Sequence, residues 1–87
     1  MSFYLYMLRC EDGSIYTGTA KDYLKRYEAH LNGKGAKYTK ARLPVKLVYF
    51  EVYEDKIIAM KREYEIKQLT KLQKERLING VEDIVWG

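Results

Sequence analysis

The sequence is short of residues that make cross-linked or rigid scaffolds: its 87 positions hold one cysteine, one proline, one tryptophan and one histidine. A lone Cys10 excludes an intramolecular disulfide, and without a CxxC pair or a Cys/His cluster it gives no basis for a zinc site. Cysteine used this sparingly fits a reducing compartment, so a cytoplasmic protein is expected. No stretch approaches the ~18 apolar residues of a membrane span. The opening MSFYLYML has neither the basic start nor the long apolar core of a leader, so neither targeting nor a membrane partner is expected. Internal repeats, low-complexity tracts and linkers are also missing. The expectation is one domain over residues 1–80 and a short tail over 81–87.

What is present is an ordinary globular mixture, 47% hydrophobic and 32% charged. A domain this small buries only about 60% of its unfolded surface, so almost every apolar residue on a consistent face is needed. A polar residue on such a face is therefore conspicuous. The net charge of +4 and a pI near 9.1 suit a polyanionic partner, nucleic acid first, although the same charge could serve solubility alone. A monomer or weak dimer is expected.

FYLYMLR at 3–9 and SIYTG ending at Gly18 read as two strands joined through the Asp12-Gly13 turn. Asp22 is a natural N-cap for a helix over about 22–32 that stops at Asn32-Gly33. Leu24, Tyr27 and Leu31 fall on one stripe of it, which is expected to pack. GKGAKYTKARLPVK at 33–46 has five basic residues and no acidic one, and reads as a long basic loop. VKLVYFEVY at 45–53 supplies a third strand. Asp55 opens a second helix, and Thr70-x-x-Gln73 is a capping box opening a third to about Ile78. The predicted fold is α+β, a three-stranded antiparallel sheet flanked by helices in the order β-β-α-β-α-α.

Four features fit pure structure poorly. Arg26 and His30, four apart, share a helix face beside the expected packing stripe, either as a solvated pair or as functional groups. Glu63 falls in an apolar stripe between Ala59 and Met60 and next to Ile66. It is either a rim glutamate paired with a lysine or a part-buried acid that needs a cation or metal. Tyr6 and Tyr16, among nine tyrosines, can meet across the hairpin, as core rings or as chemistry. Lys34, Lys37, Lys40 and Arg42, with Tyr38 among them, suit phosphate contacts and a stacked aromatic. The loop lacks GxxxxGK[ST] spacing, which argues against nucleoside triphosphate binding.

Taken together, YLY at 4–6, YTG at 16–18, Arg26, His30 and Glu63 in that order resemble the GIY-YIG nuclease domain. Tyr4 stands where glycine is usual, Thr17 replaces the middle isoleucine, and Thr19 stands where some members have lysine. GKGAKYT and REYEIKQLTK are similar to the small single-domain bacterial branch. The resemblance covers about residues 3–78 and implies the fold above and an endonuclease that hydrolyses phosphodiester bonds, a chemistry of DNA repair or recombination. By resemblance, Tyr16 is the general base, Arg26 the phosphate clamp that also eases formation of a phenolate, and His30 a supporting hydrogen-bonding group. Tyr6 is the tyrosine of the first motif. Glu63 is implied as the ligand of Mg²⁺ or Mn²⁺, which binds through few carboxylates and keeps its waters. Some members add an asparagine near the domain's end, where Asn79 lies here. DNA is the expected partner ahead of RNA. With no second domain in the chain, a protein partner, the loop or the tail would supply specificity. A non-catalytic nucleic-acid-binding module on the same fold is the alternative.

Overall fold

The computed structural model of the chain describes residues 2–80, so the expected 81–87 tail lies outside the described residues. The strands are β1 (Phe3–Arg9), β2 (Ile15–Ala20) and β3 (Lys46–Tyr53). The helices are α1 (Tyr23–Leu31), α2 (Lys37–Lys40), α3 (Lys56–Lys67) and α4 (Lys71–Ile78). The sheet is fully antiparallel in the order β2-β1-β3, so β1 is central and β2 is an edge. The expected architecture is present, with one addition: a single helical turn, α2, sits inside the basic loop.

Alternation along β1 divides the molecule into two faces. Leu5 and Met7 point to one side, where they form a core with Ile66 of α3 and Leu77 of α4. Leu8 belongs to the other side and packs with Cys10, Val45, Tyr16 and Tyr27. Tyr6, between Leu5 and Met7, projects to that second side beneath α1. A register irregularity between Met7 and Leu8 interrupts the β1–β3 pairing.

The local signals work as chemistry requires. Gly13 takes φ +84 in the β1–β2 turn, a left-handed conformation that costs other residues a Cβ clash. Asp22 accepts the Lys25 backbone N–H at the start of α1, and Thr70 with Gln73 completes the capping box of α4.

One expectation about packing is corrected. Leu24 and Leu31 are exposed, Tyr27 is half-buried, and the fully buried residue of α1 is His30. The sheet beneath α1 presents the Tyr6 hydroxyl, which an imidazole can bond and a leucine cannot, so the helix turns its polar residue inward. On α3, Ala59 and Ile66 are buried as expected, whereas Met60 is exposed. Glu63 lies half-buried between the two buried positions.

Candidate active site

The site begins with a missing side chain. Tyr6 and Gly18 are paired across β1 and β2, and a Cβ on Gly18 would lie 2.6 Å from the Tyr6 hydroxyl oxygen. Glycine there lets the Tyr6 ring lie across the edge strand. From above, the last turn of α1 lowers His30 until its Nε2 is 3.0 Å from the Tyr6 hydroxyl. Both residues are essentially inaccessible to solvent, at 1% and 0%. Burial, and then the neighbouring Tyr16, push Tyr6 up to about 12, so it is a neutral phenol at physiological pH. Burial, and then the charge of Arg26, hold His30 below its ordinary 6.5, which favours the neutral ring.

Tyr16, two residues before Gly18 on the same strand face, is half-buried. Its ring centroid is 5.1 Å from that of His30 and 6.3 Å from that of Tyr6. Tyr38 stacks on it at 6.1 Å. Arg26, one turn before His30, is exposed; its Nη2 donates to the Gly35 carbonyl at 3.1 Å. Its charge acts on both Tyr6 and His30. The structure thus brings Tyr6, Tyr16, Arg26 and His30 together around the β1–β2 edge and the end of α1.

Glu63 belongs to α3, which packs on the other side of the sheet, and it meets the edge strand β2 at Thr19. Its Oε1 accepts from the Thr19 hydroxyl at 3.0 Å, and its Oε2 pairs with Lys67 Nζ at 2.6 Å. Its field still reaches Tyr6. The lysine-paired rim glutamate allowed by the sequence is therefore the arrangement seen. The Glu63 side chain keeps 22% of its exposure and Lys67 keeps 50%, so an exposed ammonium can swing away from an accessible carboxylate. No group of three or more His, Cys, Asp or Glu residues gathers among the described residues. One accessible carboxylate does not make a protein-caged metal site. It fits an ion such as Mg²⁺ that keeps several waters and takes further oxygens from a phosphate.

In the basic segment, Lys34, Lys37 and Lys40 are exposed. Arg42 and Tyr38 are engaged internally. The Arg42 guanidinium lies 3.8 Å over the Tyr38 ring, its Nε meets Asp12 at 3.0 Å, and its Nη1 donates to the Tyr38 carbonyl at 3.0 Å. One face of Tyr38 is thus taken by Arg42, and Tyr16 is its stacked neighbour. Asn79 is the C-cap of α4. Sequence reasoning passed over Gly35, Thr39 and Lys67, and gave Thr19 no role. Thr39 is fully buried, and a Cβ on Gly35 would lie 2.1 Å from His30 Nδ1. The only available signal for the loop pair was a second glycine in GKGAKYT.

No helix among the described residues is long and apolar enough to cross a membrane. A family model described as the GIY-YIG catalytic domain matches residues 2–76. A UPF0213 protein of Fusobacterium nucleatum is 54% identical over 85 residues, covering 98% of this chain and 85% of its own length. A UPF0213 protein of Staphylococcus aureus is 58% identical over 77 residues, 88% of this chain and 94% of the relative. Among solved structures, the solution structure of a UPF0213 protein from Bacillus halodurans is 46% identical with a TM-score of 0.59, covering 91% of this chain and 84% of that one. A solution structure of an E. faecalis protein is 37% identical with a TM-score of 0.63, covering 93% and 86%.

Proposed function

The chain belongs to the GIY-YIG catalytic-domain family, and from that membership we propose that it is a divalent-metal-dependent endonuclease that hydrolyses phosphodiester bonds of DNA. The observation that supports this reading is the clustering of Tyr16, Arg26 and His30 over the β1–β2 edge, with Glu63 bound to Thr19 of the same edge strand. Hydrolysis needs a water relieved of its proton, charge stabilisation on the phosphoryl oxygens and help for the leaving oxygen. In this reading Tyr16, half-open to solvent, takes the proton. Arg26, exposed with a planar fork, grips the scissile phosphate. Tyr6 and His30 are buried beneath them and act as positioning residues. Glu63, with Thr19 orienting its carboxylate, would hold Mg²⁺ or Mn²⁺, which supplies Lewis-acid stabilisation of the phosphate. Lys34, Lys37 and Lys40 contact flanking phosphates, while Arg42 and Tyr38 hold the loop's shape.

A second reading, a non-catalytic nucleic-acid-binding module, draws on the Glu63–Lys67 pair at 2.6 Å, which already satisfies the implied metal ligand. The two readings separate in a cleavage assay on single-stranded, duplex and branched DNA with Mg²⁺ or Mn²⁺. The nuclease reading expects cutting that Glu63→Ala abolishes with DNA affinity largely retained. Cutting by Glu63→Ala at the unmutated rate would remove the assigned role. Salt-sensitive binding with no cleavage under either metal would favour the module.

A further inference from the structure

The segment 35–39 folds back over α1 and touches both of its site residues. The Gly35 carbonyl accepts from Arg26. Its missing Cβ is what allows the backbone to pass over the His30 ring, since that carbon would sit 2.1 Å from Nδ1. Two residues beyond Lys37, the Thr39 hydroxyl oxygen lies 2.7 Å from His30 Nδ1 and 3.1 Å from the Ala36 carbonyl. Thr39 is 0% exposed, so no water replaces these partners cheaply.

Donor counting orients the whole chain of bonds. A threonine hydroxyl has one hydrogen, and since a carbonyl can only accept, the Thr39–Ala36 bond uses that hydrogen. Towards His30 the Thr39 oxygen must then accept, which places a hydrogen on Nδ1. A neutral imidazole protonated at Nδ1 carries a bare lone pair at Nε2, and that atom faces the Tyr6 hydroxyl at 3.0 Å. The run is Tyr6 O–H to His30 Nε2, His30 Nδ1–H to Thr39 Oγ1, and Thr39 O–H to Ala36 O. Every hydrogen has one acceptor. The opposite tautomer would take the Thr39 hydrogen from Ala36 to Nδ1 and set an Nε2–H against the buried Tyr6 hydroxyl, whose own hydrogen would then have no acceptor among the described residues.

We propose that Thr39 is a positioning residue that fixes His30 as the Nδ1–H tautomer, and that with Gly35 it straps the basic loop onto His30 and Arg26. Fixing His30 keeps the Tyr6 proton directed inward and away from substrate. It also holds the imidazole against the Tyr16 ring, 5.1 Å away. The strap carries Lys37 and Lys40 on the same helical turn, so the loop that meets phosphate is the one that sets the site beneath it. The effect on cleavage rests on the nuclease reading above; the tautomer does not.

The test uses the whole chain labelled with ¹⁵N and long-range ¹H–¹⁵N spectra near neutral pH. Its single histidine makes the imidazole signals unambiguous. The expected wild-type spectrum shows Nδ1 protonated and Nε2 bare. Thr39→Val, similar in shape without the hydroxyl, should move the ring towards the Nε2–H form and slow cleavage about tenfold or more with DNA affinity unchanged, while Thr39→Ser restores both. A wild-type ring protonated at Nε2 overturns the proposal, as does an unchanged ring in folded Thr39→Val. The wild-type spectrum decides even where Thr39→Val does not fold. A tautomer that responds as expected in a chain that cuts no DNA supports the strap and overturns the nuclease reading instead.

Discussion

Beneath α3 and α4 the sheet buries Leu5, Met7, Ile66 and Leu77, and Arg9 and Arg62 are each paired with a carboxylate. Glu51 accepts from two guanidinium nitrogens of Arg62, Nε and Nη2, at 2.8 and 3.0 Å, with hydroxyls of Tyr53 and Tyr49 completing its shell. Arg9 and Glu75 form a similar two-point pair at 2.5 and 2.7 Å. Beneath α1 the sheet buries Tyr6 and His30 together with Thr39, and the nearby cation, Arg26, is exposed and donates to a backbone carbonyl. The first face pairs these arginines and carboxylates with each other and leaves the Thr17 hydroxyl unmet. The second keeps an arginine and a half-open phenol available at the surface, where a phosphate would complete them.

The comparison is broken most forcefully at Arg62. Removing one partner of a part-buried ion pair leaves the other uncompensated, so Arg62→Ala is expected to lower unfolding free energy by about 3 kcal/mol. DNA affinity of the remaining folded protein should be unchanged. Chemical denaturation and filter binding check the two halves.

The pH dependence separates the faces next. His30 sits below its ordinary 6.5 because it is buried and because Arg26 is near, so the unfolded chain binds its proton first. Stability therefore falls as pH drops below 6.5, and His30→Gln should flatten that part of the curve. Glu51 behaves in the acid range. Burial alone would raise it, but hydrogen bonds from Arg62, Tyr49 and Tyr53 outweigh this and hold it below its ordinary 4.5. Its contribution is complete above 4.5 and is lost as pH falls through its lowered value. Thermal melts of both proteins between neutral and strongly acidic pH test this, and identical curves would contradict the assignment to His30.

The smallest effect is a gain. Thr17 Oγ1 is the buried side-chain polar atom without a hydrogen-bond partner among the described residues. Thr17→Val keeps the shape and removes the unmet hydroxyl, so it should raise stability by about 1 kcal/mol, seen as a higher Tm, without altering the α1 face.

Much of the fold was legible because local chemistry coincides with global need. The Asp12-Gly13 turn, the Asp22 cap and the Thr70–Gln73 capping box each form as their residues require. Periodicity failed on α1, where it favours Leu24 and Leu31 but cannot register that a buried hydroxyl on another element recruits His30. That Tyr6, Tyr16, Arg26 and His30 gather in one place agrees with their reading as a group from sequence order, yet their division into buried and accessible pairs could not be read there. Thr39 and Gly35 left almost no trace, since a hydrogen bond nine residues away from His30 and a close backbone approach have no sequence period.

The most direct test of the central claim is the rate at which Tyr16→Phe cuts DNA in the presence of Mg²⁺ or Mn²⁺, measured beside its DNA affinity and melting temperature. The substitution keeps the ring against His30 and Tyr38 and removes only the hydroxyl. A general base contributes about 10²- to 10⁴-fold, so the expected result is a loss of that size with affinity and Tm preserved. Cleavage by Tyr16→Phe at the wild-type rate would contradict the account.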